Sequence, residues 1–147
     1  MPPRKTPATP AHILNAAADH IERVGLYQGE HLWQPGKMGD TAPCNVLHAW
    51  DQGVSAARPH RSVPAGLAWD IFHSALRDSL IMASDHVAGG PIPPARWQAL
   101  EMVEWAYRRT TLWSWGDEPG RTAVEAAAMF RAVAAPVTSD RDHIWRS

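Results

Sequence analysis

The sequence is poor in cysteine and in uninterrupted hydrophobic runs. Its one cysteine, Cys44, excludes a disulfide within the chain, which is typical of a protein in a reducing cytoplasm. No apolar stretch approaches the roughly 18 residues that a membrane span needs. Arg4 and Lys5 are not followed by the apolar segment of a secretory signal. We therefore expect a cytoplasmic protein without a membrane partner.

The chain also lacks an excess of charge of either sign. Lysine and arginine together number 14, aspartate and glutamate 15, and the formal net charge is -1. A nucleic-acid-binding protein usually carries a basic excess, so we expect no nucleic-acid partner. Among the 8 histidines no H-E-x-x-H or paired C-x-x-C pattern occurs, and we expect neither a metal nor a cofactor.

Helical periodicity is the main feature that is present. Apolar residues recur at intervals of three and four, and five helices are predicted to begin near residues 10, 43, 64, 94 and 123. No stretch alternates long enough to predict a strand with confidence, although a short hairpin within 26–42 stays open. We predict an all-α fold, a compact single domain of about five helices.

The domain organisation follows from the proline pattern. Residues 1–8 are predicted to be a disordered N-terminal arm, 9–135 the helical domain, and 136–147 a polar C-terminal tail. Thr9 followed by Pro10 is a typical helix start, and Gly25 a typical helix stop.

Tryptophan is abundant, with 8 residues, and it suggests a surface that binds a partner. A fourth helix is predicted from about 94 to 113, and its wheel places Trp97, Trp105 and Leu112 together beside Arg108. The opposite, core-facing side of the same wheel includes Leu100 and Val103. Apolar patches with a charged rim often bind other proteins, and tryptophan and arginine are common anchors there. The alternative is that a loop containing Trp33, or the tail containing Trp145, covers this patch.

A second candidate site is centred on Cys44. If the second helix begins at Pro43, then Cys44, His48 and Asp51 share one helix face, in the order of a nucleophile, a base and an orienting acid. The helix dipole would favour a thiolate in the first turn, with a pKa well below about 8.5. The alternative is a solvated polar face beside a half-buried cysteine, since catalytic triads usually gather residues from separate elements.

A third candidate is the loop that precedes the fifth helix. Asp117 favours an Asx-turn, and Thr122 with Glu125 forms the capping-box pattern of a helix start. Arg121 beside that helix start could bind an anion, with Trp115 as a stacking wall. A purely structural role explains most of the same residues.

Two segments carry a family resemblance. The first is AAADHIERVGLYQG at 16–29 with PCNVL at 43–47, and the second is WGDEPGRT at 115–122 before an alanine-rich helix. Together they resemble a family of small actinobacterial and actinophage proteins classed as a domain of unknown function. The chain departs from the family pattern at Asn45, His48 and Gly116, and residues 50–97 do not take part in the resemblance. The resemblance implies a fold and a source and supplies no activity.

We interpret the sequence as an interaction module, an adaptor or an inhibitor of a host factor, that binds another protein or itself. No strong catalytic pattern is present, so an enzyme is the less favoured class. A thiol-dependent enzyme or redox switch at Cys44 and His48 is one alternative. A binder of small molecules or anions at 115–122 is the other.

Overall fold

A computed structural model describes residues 8–28 and 42–135 of the protein, and this part of the chain is all-α. It contains six helices: α1 (Pro10–Val24), α2 (Val46–Ala57), α3 (Leu67–Val87), α4 (Ala95–Ala99), α5 (Glu104–Gly116) and α6 (Ala123–Ala134). The all-α prediction is confirmed, and the sixth helix arises because the predicted fourth helix is divided in two. The predicted arm, most of 26–42 and the tail lie outside the described residues.

Side-chain caps fix the ends of α1 and α6 where the sequence predicts them. Thr9 Oγ1 accepts a hydrogen bond of 3.0 Å from the backbone nitrogen of His12, and Pro10 is the first helical residue. Gly25 ends α1 with a φ of 94°, which glycine adopts without strain. At the start of α6, Thr122 Oγ1 accepts a hydrogen bond of 3.1 Å from the backbone nitrogen of Glu125. Local capping chemistry is thus sufficient to define these boundaries.

The start of α2 differs from the prediction. Asn45 caps the helix, since its Oδ1 accepts a hydrogen bond of 2.7 Å from the backbone nitrogen of His48. The first helical residue is Val46. Cys44 lies before the helix in an isolated parallel bridge with Leu26. The Cys44 nitrogen donates to the Gly25 carbonyl (3.1 Å), and its own carbonyl accepts from the Tyr27 nitrogen (2.9 Å). An asparagine cap combined with tertiary pairing therefore overrides the proline start signal.

The predicted fourth helix is interrupted at 100–103 by a Schellman motif. The Glu101 nitrogen bonds to the Gln98 carbonyl (3.0 Å), and the Met102 nitrogen to the Trp97 carbonyl (2.9 Å). The motif needs one residue in the left-handed region, and Glu101 adopts it with a φ of 53°. Glycine usually occupies this position, so its absence hides the break from sequence inspection.

The core is built around α1, which packs most extensively on α2 and α6, while α5 packs on α2 and α3. Two glycines allow close helix contacts. A Cβ on Gly53 would overlap the Ile13 carbonyl oxygen of α1, and one on Gly116 would overlap Cγ2 of Val46. The largest fully buried apolar side chains are Trp50, Phe72, Phe130, Ile13, Leu14, Ile21, Leu80 and Leu112. Within 8–28 and 42–135, none of the helices combines the length and apolar character of a membrane span.

Candidate functional site

Cys44, the centre of the proposed thiol site, is buried in the core and not in the first turn of a helix. Only 1% of the residue is exposed. Burial raises the pKa of the Cys44 thiol from 9.0 to about 12, because the charged thiolate loses its hydration. This direction is opposite to the lowered pKa that a nucleophilic thiolate requires.

The predicted partners of Cys44 make contacts elsewhere. Asp51 accepts a hydrogen bond from Arg109 Nη1 at 3.2 Å and does not orient the imidazole of His48. The Nε2 atom of His48 lies 3.0 Å from Gln52 Nε2, and its ring meets that of His20 edge-on at 6.2 Å. The order of nucleophile, base and acid predicted along one helix is therefore not assembled.

The predicted partner surface of Trp97, Trp105, Leu112 and Arg108 is wrong as a continuous exposed patch. Leu112 is 0% exposed and belongs to the core, and Arg108 is only 5% exposed. The Trp105 ring packs edge-on against Trp50 of α2 at 5.8 Å, and the ring of Trp97 lies under the Arg108 guanidinium at 5.6 Å. These four residues hold α5 and α4 to the rest of the protein.

Arg108 joins α5 to α3 through a buried ion pair. Its Nη1 donates to Asp85 Oδ1 (2.8 Å) and to Ser84 Oγ (2.9 Å), while its Nε donates to Glu104 Oε2 (2.8 Å). Burial by itself lowers the pKa of Arg108, but the hydrogen bonds and charges of Asp85 and Glu104 outweigh it and raise the pKa. The guanidinium is therefore a structural cross-link between helices.

The interruption at 100–103 explains the error. The helical wheel assumed a single helix, so it carried the phase of α4 into α5 and assigned the core face to the wrong side. Residues expected in the core are exposed instead: Leu100 is 62% exposed and Val103 is 69% exposed. A non-helical segment of four residues is enough to bury Leu112 and Arg108 and to leave Leu100 and Val103 in solvent.

The loop before α6 brings Arg121 and Trp115 into contact, but its arginine is occupied by its own neighbours. The Arg121 guanidinium stacks on the ring of Trp115 at 3.8 Å and donates through Nε to the Trp115 carbonyl at 3.1 Å. Its Nη2 and Nη1 pair with Glu118 (2.5 Å) and Glu125 (3.2 Å). Thr122 is used as the helix cap. Two carboxylates thus occupy the position at which an external anion would bind.

Asp117 and the preceding glycine complete this loop. Asp117 ends α5, and its nitrogen bonds back to the carbonyls of Trp113 (3.1 Å) and Ser114 (3.2 Å). Gln28 reaches the loop from the end of the α1 segment and donates to the carbonyls of Gly116 (3.1 Å) and Glu118 (2.5 Å). The loop therefore also connects the two segments that carry the family resemblance.

The structure places an open groove beside this loop, which the sequence analysis missed. We call it the α3–α5 groove; it has a volume of about 380 Å³ and is lined by Val87, Leu100, Met102, Tyr107, Thr110, Thr111, Ser114, Trp115 and Glu118. Its walls are apolar side chains and hydroxyl groups, with one carboxylate at the end. The groove exists because the chain leaves the helix at 100–103, and no glycine or proline there signals this in the sequence.

In 8–28 and 42–135, no three side chains of histidine, cysteine, aspartate or glutamate are grouped closely enough to hold a metal ion.

A model of a family of unknown function, DUF6197, matches residues 5–136. The chain belongs to this family. The match confirms the resemblance to an uncharacterised domain family, and it also covers 50–97, the part that the two motifs left out. The DUF6197 domain thus includes α3, α4 and the interruption before α5. No curated protein and no solved structure matches the chain.

Proposed function

We propose that this protein is a non-enzymatic interaction module that binds a segment of another protein in the α3–α5 groove. The observation that carries this proposal is Leu100, an aliphatic side chain that is 62% exposed at the edge of an apolar groove. Exposed apolar side chains beside a concave surface are typical of protein-binding sites. An adaptor and an inhibitor of a host factor both act through such a groove.

The backbone at the groove supports the same proposal. Glu101 has a positive φ, a conformation that costs a residue with a Cβ about 1–2 kcal/mol relative to glycine. Strain of this kind is often found at binding sites, where the side chain has a role of its own. Here it holds Leu100 and Met102 on either side of the turn, with the Glu101 carboxylate exposed between them.

Charge indicates which partner segment fits. Glu101 carries an exposed carboxylate on the segment that borders the groove, and the groove lining contains no basic side chain. We therefore propose a partner segment that inserts one aliphatic or aromatic side chain between Leu100, Met102 and Tyr107 and carries lysine or arginine beside it. Electrostatic complementarity of this kind raises the association rate and the specificity.

The lining of the groove favours binding over catalysis. It includes hydroxyl groups and a carboxylate but neither histidine nor cysteine, and the Glu118 carboxylate is paired with Arg121. A groove of this composition offers contact area and hydrogen bonds, without the activated nucleophile or base that acyl or phosphoryl transfer requires.

We also propose that the protein acts in the cytoplasm of an actinobacterium or of a cell infected by an actinophage. The cytoplasmic part rests on the single, buried Cys44, which needs no oxidising compartment. The source rests on the resemblance alone.

A peptide-display selection tests the proposal. The full chain is the bait for random peptides, and a Leu100→Asp variant removes binders that do not use the groove. Enriched peptides are expected to contain a large apolar residue within a few positions of lysine or arginine. A Leu67→Asp bait is the matched control, because Leu67 is an exposed leucine (74%) on α3 that is not in the groove. Enrichment of acidic peptides, or of peptides that bind the Leu100→Asp bait equally well, would contradict the proposal.

A further inference from the structure

A second concave surface lies between α1 and α2, away from the α3–α5 groove. We call it the α1–α2 cleft; it has a volume of about 410 Å³ and is lined by Ala16, Asp19, His20, Arg23, Gln52, Ser55 and Ala56. The two helices touch closely at Gly53, and the small side chains of Ala16, Ser55 and Ala56 leave the space open beside that contact. Unlike the groove, the cleft has a basic side chain, Arg23, in its lining.

Arg23 and His20 lie side by side in the lining of the cleft. Arg23 Nη2 lies 3.2 Å from Nδ1 of His20, which is a buried residue. A guanidinium has only donors, so Nδ1 must be the acceptor, and the proton of the neutral imidazole is on Nε2. The contact holds Arg23 in place through one of its five N–H groups and leaves its other donors for a ligand.

The charges around the cleft leave Arg23 as its cation. Asp19 is bound by Arg131 of α6 at 3.0 Å, and the same arginine also pairs with Glu22. In contrast, no carboxylate forms an ion pair with Arg23 among residues 8–28 and 42–135. Arg131 of α6 therefore binds both carboxylates of α1, and within 8–28 and 42–135 Arg23 has no carboxylate partner of its own.

The α2 side of the cleft supplies neutral hydrogen-bonding groups. The Gln52 amide is positioned by its contact of 3.0 Å with His48 Nε2, and Ser55 is exposed one turn further along the helix. We infer that the α1–α2 cleft binds a small molecule with a carboxylate or phosphate group, which Arg23 holds while Gln52 and Ser55 bind its polar remainder. Arginine recognises both oxyanions through the same planar pair of donors. This inference goes beyond the proposed interaction function and uses different helices.

Nuclear magnetic resonance on the full chain, labelled with ¹⁵N, tests the inference. Inorganic phosphate and succinate are titrated separately at constant ionic strength. At least one anion is expected to give saturable shifts confined to the amides of 16–23 and 52–56 and to the Arg23 side chain. The anion that saturates at the lower concentration identifies the head group. If neither anion gives a saturable shift in the cleft, the inference is wrong.

Two variants establish that the cleft is responsible. Arg23→Gln is expected to weaken binding by about tenfold or more, because it removes the charge-assisted bonds. Arg77→Gln removes the same charge from an exposed position on α3 and is expected to leave the affinity within about twofold. Ala56→Leu adds volume at an exposed position and is expected to block the cleft without disturbing the core. Equal binding by Arg23→Gln and Arg77→Gln, or full binding by Ala56→Leu, would overturn the inference.

Discussion

Apolar side chains are buried at the contact between α1 and α2 but exposed at the junction between α4 and α5. At the first, glycine at position 53 lets two helices approach until a single Cβ would not fit, and Cys44, which precedes α2, is buried in the same core. At the second, a helix ends on a strained glutamate and leaves Leu100 and Val103 in solvent. The first arrangement contributes stability, whereas the second costs stability, and we propose that it forms the surface for a partner.

The largest expected effect concerns Cys44 in the close-packed region. With a pKa of about 12, its thiolate fraction near pH 8 is about a thousandfold lower than that of a thiol with a pKa of 9.0. A thiol-reactive disulfide reagent should therefore modify the folded protein very slowly and the protein in urea quickly. Rapid modification of the folded protein would revive the hypothesis of a reactive thiol.

The same burial predicts how stability depends on pH. The unfolded thiol ionises at lower pH than the folded one, so this contribution to stability is complete below about pH 9 and is lost as the pH rises toward 12. Urea unfolding of the wild type and of Cys44→Ala, measured between pH 7 and 10, checks this. The stability of the wild type should decline relative to that of the variant only above about pH 9.

Gly53→Ala should have the next largest effect, a loss of about 3 kcal/mol in the free energy of unfolding. Alanine is normally about 1 kcal/mol better than glycine inside a helix, so the sign of the change is diagnostic. The new Cβ meets a backbone carbonyl of α1, which cannot rotate away. Chemical denaturation measures this change in the free energy of unfolding. A Gly53→Ala variant that is more stable than the wild type would contradict the close contact.

Gly116→Ala is the comparison within the same core. Its Cβ meets a side chain, Val46, so the loss should be smaller, about 1–2 kcal/mol. Val46→Ala should restore part of the stability of Gly116→Ala, and no second substitution of this kind should rescue Gly53→Ala.

Arg108→Met should cost about 2–3 kcal/mol, because Asp85 and Ser84 lose a buried donor. Arg109→Met is the matched control on the next residue. Arg109 is one-third exposed and has a single ion pair with Asp51, and its loss should cost less than about 1 kcal/mol. Equal losses for both variants in thermal or urea unfolding would show that burial does not distinguish the two arginines.

Glu101→Gly should have the smallest effect on stability and the opposite sign. Glycine accepts the left-handed conformation without strain, so the free energy of unfolding should rise by about 1 kcal/mol. The variant should also bind the basic peptides of the display selection less well, because it removes a carboxylate. A variant that is destabilised would show that the side chain of Glu101 supports the fold.

The sequence predicted most of the fold and little of the site. Thr9, Pro10, Gly25 and Thr122 are local signals that act within one helical turn, and each helix boundary that they predicted is present. The α4–α5 interruption has no such signal, because Glu101 occupies a position that only the tertiary fold makes necessary. The interruption shifted the helical wheel, so Leu112 and Arg108 of the predicted partner surface are buried while Trp105 is 38% exposed.

The surroundings of the candidate site residues could not be predicted from the sequence for a related reason. The burial of Cys44 depends on its bridge with Leu26, and the occupation of Arg121 depends on how Glu118 and Glu125 meet its guanidinium. Residue types and spacing did predict the Thr122 cap of α6. They could not predict that the neighbouring groove would be open and that the arginine itself would be occupied.

The central claim is tested most directly by the dissociation constant of one selected basic-apolar peptide for the wild type, Leu100→Asp and Leu67→Asp, measured by fluorescence anisotropy. Our account predicts that Leu100→Asp weakens binding by about tenfold or more, equivalent to about 1.4 kcal/mol. It predicts that Leu67→Asp stays within about twofold, since that leucine is exposed but lies outside the groove. Equal dissociation constants for all three proteins would contradict the claim that the α3–α5 groove is the binding surface.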